Sequence, residues 1–135
     1  MDYMFIIRGV NMKVTCGTDI IEINRIKESI EKLGKAFLDR VFTKNEIKYC
    51  ESKKKQKYEH YAARFAAKEA AFKALSWKID DKYSVSWKDF EVQNNEQGRP
   101  ILKIIGIDLK DIEDIDISIS HCKSYAVANV TVLTK

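Results

Sequence analysis

Apolar positions recur at helical spacing in the first half of the chain and alternate as they do in strands in the second half. Gly34 marks a helix end, and Thr43 to Glu46 has the spacing of a capping box. The pattern predicts an early strand at 14–23, helices at 22–33, 35–42, 43–53 and 57–76, and later strands at 87–94, 100–105, 115–121 and 125–133. Helices followed by antiparallel strands are typical of the α+β class.

The length of 135 residues fits a single domain. We interpret residues 1–11 as an N-terminal extension of unknown role, since Met12 could be a second start, and residues 12–135 as the domain. No apolar run approaches the roughly 20 residues of a membrane span. The cysteines are odd in number and lack ligand spacing, so neither a disulfide framework nor a zinc site is expected, and free thiols suit a reducing cytoplasm.

The alanine-rich helix expected at 57–76 carries an acid on its apolar stripe. At helical spacing, Glu69 falls between Phe65 and Phe72. A carboxylate on a core-facing stripe is costly unless it is paired, hydrogen-bonded or bound to a metal. The apolar members of the stripe are Tyr58, Tyr61, Ala62, Phe65 and Phe72.

Asp19 is a second acid in an apolar setting, on the same pleat face of its strand as Ile21. Taken alone, Asp19 could cap a turn, and Glu69 could pair with Lys73 one helical turn on. Two such acids on separate elements indicate instead a hard cation such as Mg²⁺, which takes one or two carboxylates plus water and substrate phosphates. The cations near Glu69 would suit those phosphates, and they are Arg64, Lys68 and Lys73.

The other candidate residues give weaker signals. His121 ends a strand directly after Ser120, but a lone histidine there is more often structural, and nothing completes a catalytic triad. Gly98-Arg99-Pro100 is first a turn, although its arginine could reach a phosphate. Arg25 and Arg40 are most simply surface residues, and each could bind an acidic partner. The missing Gly-rich loop argues against a P-loop or a Rossmann site.

The formal net charge of +4 is mildly basic, which favours acidic partners without singling out nucleic acid. Part of this charge is the lysine run at 53–57, which reads most simply as a solvated helix end or loop. The alternative is an α+β module that binds RNA or DNA. Single-stranded binders also need exposed stacking aromatics, and the aromatic residues here lie on the predicted core stripe.

Three sequence blocks occur in order along nearly the whole chain. They are Gly17-Thr18-Asp19-Ile20 with Glu22 and Arg25, Arg64-Phe65-Ala66-Ala67-Lys68-Glu69-Ala70 with Lys73 and Ala74, and Ser118-Ile119-Ser120-His121 with Tyr125 and Ala126. In these blocks the chain resembles the holo-acyl-carrier-protein synthases, the small phosphopantetheinyl transferases of fatty-acid synthesis. Gly98-Arg99-Pro100 is similar to the Gly-basic-Pro turn that this family has before the third block.

The resemblance implies a long helix packed on a small, mainly antiparallel sheet, and a Mg²⁺-dependent transfer, with Mn²⁺ as the alternative metal. The 4′-phosphopantetheine group of coenzyme A would pass to a serine of apo-acyl carrier protein, releasing adenosine 3′,5′-bisphosphate. Asp19 and Glu69 match the metal ligands and, with Lys73, the catalytic residues. A metal-bound water or a carboxylate would take the serine proton. The coenzyme A contacts implied are Arg64, Lys68, Lys73, Gly98, Arg99, Pro100, Ser120 and His121.

The resemblance also implies partners. An acidic acyl carrier protein would meet Arg25, with Arg40 and Lys35 as further contacts, and the chain would form a homotrimer with sites between subunits. We expect a cytoplasmic enzyme that engages neither nucleic acid nor a membrane. The nucleic-acid module and a catalytically dead carrier-protein binder are the alternatives.

Overall fold

The computed structural model describes residues 5–7 and 10–135, so that residues 1–4, 8 and 9 of the expected extension lie outside the described residues. The helices are α1 (Ile23–Leu33), α2 (Lys35–Val41), α3 (Lys44–Glu51) and α4 (Lys57–Leu75). The strands are β1 (Phe5–Ile7), β2 (Val10–Glu22), β3 (Phe90–Asn94), β4 (Pro100–Ile104), β5 (Ile112–His121) and β6 (Tyr125–Thr134). The predicted α+β class and the predicted helices are confirmed, with small shifts at the helix ends.

The main sheet has the strand order β1-β2-β6-β5, and every neighbouring pair in it is antiparallel. β6 lies in its centre, with Ala128 opposite both Asp19 of β2 and Ile119 of β5. β3 and β4 form a separate hairpin. The described part of the expected extension pairs with the start of β2, where Phe5 lies opposite Met12.

Local hydrogen bonds set the boundaries of two elements. Thr43 and Glu46 form the predicted capping box, in which each side chain accepts a bond from the other's backbone N–H. The prediction of a strand beginning at Trp87 is wrong, because a second box intervenes. The Ser86 N–H donates to Asp89 at 2.8 Å, which curls 87–89 into a short 3₁₀ turn ahead of β3.

Helix α4 packs on the sheet through its alanines rather than through its aromatic residues. The buried alanines meet Ile117, Ala128, Val130 and Val132 of the sheet, and they are Ala66, Ala67, Ala70, Ala71 and Ala74. Phe65, Phe72 and Glu69 are only half-buried. The predicted core stripe is therefore right for Tyr61 and Ala62, which are fully buried in the core, and wrong for Phe65 and Phe72, which flank the helix–sheet contact instead of filling it.

Gly17 allows this close approach of β2 to α4. A Cβ atom at this position would lie 2.1 Å from the Ala70 carbonyl oxygen and 2.7 Å from the Ala74 nitrogen. Next to it, the Thr15 hydroxyl donates to the Ala74 carbonyl at 2.9 Å. Small residues on both sides thus bring the backbones of the strand and the helix together.

The opposite face of the sheet carries no helix among the described residues. Val14 and Ile20 of β2 are exposed there, at 58% and 64%. Asn129 of β6 donates to Thr18 at 2.9 Å and accepts from Thr131 at 2.9 Å, so a polar group sits within this apolar surface. We call this face, made of the even-numbered positions of β2 and the odd-numbered positions 127–133 of β6, the open face.

Among the described residues, no helix is both long enough and apolar enough to cross a membrane.

Candidate active site

The two predicted acids lie close together where β2 crosses α4. Alternation along β2 puts Asp19 on the same side as Gly17, facing the helix, and its side chain is 17% exposed. Lys73 of α4 donates to the Asp19 carboxylate at 3.3 Å and to the Thr18 carbonyl at 3.0 Å. Glu69 lies one helical turn before Lys73. We call Asp19, Glu69 and Lys73 the acid–lysine cluster.

The electrostatics of the acid–lysine cluster favour a bound cation. Burial, and then the negative charge of Asp19, raise the pKa of Glu69, while Lys73 opposes this shift. Two carboxylates that repel each other across a half-buried site would be stabilised by a divalent cation between them. No group of three or more potential metal-ligating side chains occurs within 5–7 and 10–135. Two carboxylates nevertheless fit Mg²⁺, which keeps waters and takes substrate phosphates as its other ligands.

Lys68 is buried where α4 meets α3 and β3. Its side chain is fully buried, and its ammonium pairs with the Glu46 carboxylate at 2.6 Å. The same ammonium donates to the carbonyls of Trp87, at 3.2 Å, and Phe90. Burial lowers the pKa of Lys68, and Glu46 opposes this shift. The Lys68 ammonium thus has its donors used inside the protein in this geometry, although the residue lines a pocket beside Glu69.

Arg64 is also largely buried, with 4% of its surface exposed. Its guanidinium lies over the Tyr49 ring at 4.0 Å and donates to Asn94 at 2.8 Å, while its Nε has no hydrogen-bond partner. Asn94 in turn donates to the Gly98 carbonyl at 3.1 Å. Arg64 therefore connects α4 to the tip of the β3–β4 hairpin, and its Nε is buried there without a partner.

His121 lies at the other end of α4 from the acid–lysine cluster. Its Nδ1 is 3.7 Å from the Glu59 carboxylate, and its ring meets that of His60 edge-on at 5.8 Å. Burial, followed by the charges of Arg64 and Lys53, lowers the pKa of His60. From residue 60 to residue 69 the helix rises by about 14 Å. Within one protomer, only an elongated ligand could contact both places.

Ser120 and Arg99 point away from the acid–lysine cluster. Alternation along β5 places Ile117, Ile119 and His121 towards α4 and Ser120 on the other side of the sheet. Arg99 holds both carboxylate oxygens of Asp116 at 2.9 Å, and this contact lowers the pKa of Asp116. Gly98, at φ +82°, and Pro100 frame Arg99 at the hairpin. One protomer thus unites Asp19, Glu69 and Lys73 but not the remaining expected coenzyme contacts.

A pocket of about 230 Å³ opens next to Glu69. One wall is α4, and the other is the segment 85–90, in which Trp87 stacks on Phe65 with 4.9 Å between ring centroids. The lining residues are Lys68, Glu69, Phe72, Val85, Ser86, Trp87 and Phe90. The pocket therefore combines a carboxylate at the acid–lysine cluster with aromatic walls.

The expected carrier-protein contacts lie on the first two helices. Arg25 of α1 and both Lys35 and Arg40 of α2 are exposed, and Lys35 pairs with Asp39. Leu33, 61% exposed, borders a shallow groove that Arg25 also lines. This surface offers cations around an exposed apolar side chain.

Several site residues escaped sequence reasoning, namely Glu46, Tyr49, Glu59, His60 and Trp87. For Glu46 the sequence offered only the capping box. That motif accounts for its hydrogen bond with Thr43 but gives no sign of its ion pair with Lys68. Glu59 and His60 precede the recognised motif on the same helix, and helical spacing alone does not reveal which strand they meet.

A long helix on an antiparallel sheet, with two acids and a lysine at their contact, forms a site suited to metal-assisted phosphoryl transfer. A family model of the 4′-phosphopantetheinyl transferase superfamily matches residues 15–130. The match spans most of the chain, and the chain belongs to this superfamily.

Relatives with known names agree with this membership. The chain is similar to the holo-[acyl-carrier-protein] synthase of Ruminiclostridium cellulolyticum, with 44% identity over 122 residues, 87% of this chain and 90% of that protein. The synthase of Thermodesulfovibrio yellowstonii is 46% identical over 116 residues, which cover 86% of this chain and 95% of that protein.

Solved structures show the same fold. A holo-(acyl-carrier-protein) synthase from Bacillus anthracis in complex with CoA (3′,5′-ADP) has a TM-score of 0.75 and 38% identity, covering 92% of this chain and 99% of that chain. The Helicobacter pylori synthase in complex with coenzyme A also has a TM-score of 0.75, at 29% identity, covering 87% of this chain and 98% of that chain. The predicted fold and family are confirmed.

Proposed function

We propose that this protein is a holo-acyl-carrier-protein synthase, which transfers 4′-phosphopantetheine from coenzyme A to a serine of apo-acyl carrier protein. The observation that carries the proposal is the acid–lysine cluster at the contact of β2 and α4. Superfamily membership and the coenzyme A complexes of similar synthases support it. The product supplies carrier protein to fatty-acid synthesis, and we place the enzyme in the cytoplasm.

In this reaction the serine oxygen bonds to the phosphorus that bears the pantetheine, and its hydroxyl proton passes to a carboxylate of the site or to water. The bond from that phosphorus to the bridging oxygen breaks, and adenosine 3′,5′-bisphosphate leaves with the electron pair. Asp19 and Glu69 would hold a divalent cation, Mg²⁺ or Mn²⁺, which when bound would neutralise charge on the pyrophosphate. Lys73 is half-exposed and lies against Asp19, so its ammonium can reach the pyrophosphate oxygens and stabilise the leaving group.

The remaining coenzyme contacts divide between two places. Arg64 and His121 lie beyond the acid–lysine cluster on the α4 side of the sheet, where we place the nucleotide phosphates. Ser120 and the turn Gly98 to Pro100 belong to the other side. We propose that a neighbouring subunit supplies this second group in a homotrimer. The exposed apolar residues of the open face support such packing, because they would otherwise remain in water.

Transfer itself is the direct test of the proposed function. We expect purified protein with Mg²⁺ and coenzyme A to add one phosphopantetheine to an apo-acyl carrier protein, as read by intact-mass spectrometry. A carrier protein with its acceptor serine changed to alanine is the control and should gain nothing. An unchanged mass of the intact-serine carrier, or nucleic-acid binding without coenzyme A affinity, would contradict the proposal.

Carrier recognition should depend on the exposed cation Arg25. Acyl carrier proteins are acidic, so Arg25→Glu places like charge against the partner, and we expect the KM for the carrier to rise at least about tenfold with little change in kcat. Lys110→Glu is the control. It makes the same charge reversal in the connector before β5 and should leave the KM for the carrier near its normal value. Equal KM increases in both variants would show a general charge effect instead of contact at α1.

A further inference from the structure

The buried pair of Lys68 and Glu46 connects four parts of the fold at one point. Glu46 reaches back to the Thr43 N–H at the start of α3 at 2.9 Å, and its other oxygen accepts from the Val92 N–H of β3 at 2.9 Å. Lys68 lies on α4, and its ammonium donates to the carbonyls of Trp87 and Phe90. It thereby links α4 to the segment that leads into β3. Both side chains are fully buried, so water screens none of these contacts.

The segment anchored by Lys68 is also a wall of the pocket beside Glu69. Val85, Ser86, Trp87 and Phe90 line it from one side, while Glu69 and Phe72 line it from α4. Lys68 directly precedes Glu69 on α4, and its two hydrogen bonds to Trp87 and Phe90 join the two walls of the pocket. The width of the pocket is therefore set by contacts that involve no ligand.

Packing alone does not require an ion pair in this position. A buried pair gains little over apolar residues of similar volume, because desolvation offsets most of its attraction. An ammonium can, however, hold two carbonyls and a carboxylate at fixed positions, which an apolar side chain cannot. The pair therefore fixes the distance between α4 and the segment 85–90, and this distance decides which ligand the pocket can hold.

We propose that Lys68 and Glu46 are positioning residues for substrate binding, which hold the 85–90 segment so that the pocket beside Glu69 fits the pantetheine arm of coenzyme A. This inference rests on the proposed function. The arm leaves the phosphate that the acid–lysine cluster would hold, so it must begin next to Glu69. Its alkyl and amide groups match a pocket with aromatic walls and a polar rim.

The test compares two ligands that differ by the arm. In Lys68→Met, which keeps an unbranched side chain but removes the ammonium, we expect the Kd for coenzyme A with Mg²⁺ to rise at least about tenfold. The Kd for adenosine 3′,5′-bisphosphate, which lacks the arm, should change less than about twofold. Because Lys68→Met leaves the Glu46 charge unpaired, the double variant Glu46→Gln/Lys68→Met, which buries no charge, is measured beside it and should show the same selective loss.

Val132→Ala is the control, since it loosens the core from β6 and leaves every hydrogen bond of the Lys68–Glu46 pair in place. We expect it to leave both Kd values unchanged. Equal weakening of both ligands in the Lys68 variants, or no weakening of coenzyme A, would overturn the inference while the proposed function stands. If the unaltered protein binds neither ligand, the proposed function fails, and the inference fails with it.

Discussion

Glu69→Gln is expected to abolish phosphopantetheine transfer and at the same time to make the metal-free protein more stable at neutral pH. Loss of a metal ligand removes several kcal/mol of transition-state stabilisation, which corresponds to a fall of about a thousandfold or more in kcat. The stability gain arises because Glu69 is held near Asp19 in a half-buried site that penalises its charge. Solvent screens the site partly, so we expect a gain of less than about 1 kcal/mol.

The sign of the pH dependence follows from the raised pKa of Glu69. A carboxyl group with a raised folded-state pKa stabilises the fold while it is protonated, and this contribution is lost as the pH rises through that pKa. The variant should therefore be more stable than the unaltered protein at pH 7. The difference should vanish as the pH falls towards the ordinary carboxyl pKa of 4.5. Thermal melts across this range, without divalent ions, measure it.

Added Mg²⁺ gives a second readout that does not depend on activity. It should raise the melting temperature of the unaltered protein, because it binds only the folded state, and it should have little effect on Glu69→Gln. Glu96→Gln makes the same chemical change on the exposed hairpin loop and should alter neither transfer nor the Mg²⁺ response. Near-normal transfer in Glu69→Gln would show that Glu69 is only a structural member of an ion pair.

Local sequence signals predicted most of the fold because their causes are local. Gly34 at φ +59° separates α1 from α2, and the capping box at Thr43 starts α3. Alternation placed Ile117, Ile119 and His121 on one face, and the structure confirms it. The same alternation puts Ser120 on the other face. Ser120 and His121, which are neighbours in the motif, therefore face opposite sides of the sheet within one protomer.

The roles of the lysines could not be read from the helix. Lys68 and Lys73 both flank Glu69 in sequence, but Lys68 points to Glu46, which is 22 residues away, and Lys73 points to Asp19, which is 54 residues away. Helix α4 contacts the sheet on one side and α1, α3 and β3 on others, so helical spacing does not define a single core face. For this reason the stripe identified part of the core, Tyr61 and Ala62, but not the alanines that meet the sheet. It also did not separate the buried Lys68 from the exposed Lys73.

Gly17→Ala is expected to be among the most damaging single changes in the protein. Its new Cβ would lie within 2.8 Å of the Ala70 oxygen, the Ala74 nitrogen and the Lys73 Cβ. Two of these are backbone atoms, so no rotamer change relieves the clash and α4 must move away from β2. Overpacking of a close-packed core costs about 1–3 kcal/mol, and a clash against backbone should reach or exceed the upper value. Urea unfolding measures this loss.

The same displacement should disrupt the acid–lysine cluster, because Asp19 belongs to β2 and Glu69 and Lys73 belong to α4. We expect Gly17→Ala protein that remains folded to lose transfer and the stabilisation by Mg²⁺ together. Gly34→Ala is the matched control. A Cβ there meets no atom within 4 Å, so the cost is only the backbone strain at φ +59° and ψ −135°, about 1–3 kcal/mol. Gly34→Ala should therefore keep both transfer and the Mg²⁺ response. Normal transfer in Gly17→Ala would mean that the cluster tolerates separation of helix and strand, which contradicts a cation shared between Asp19 and Glu69.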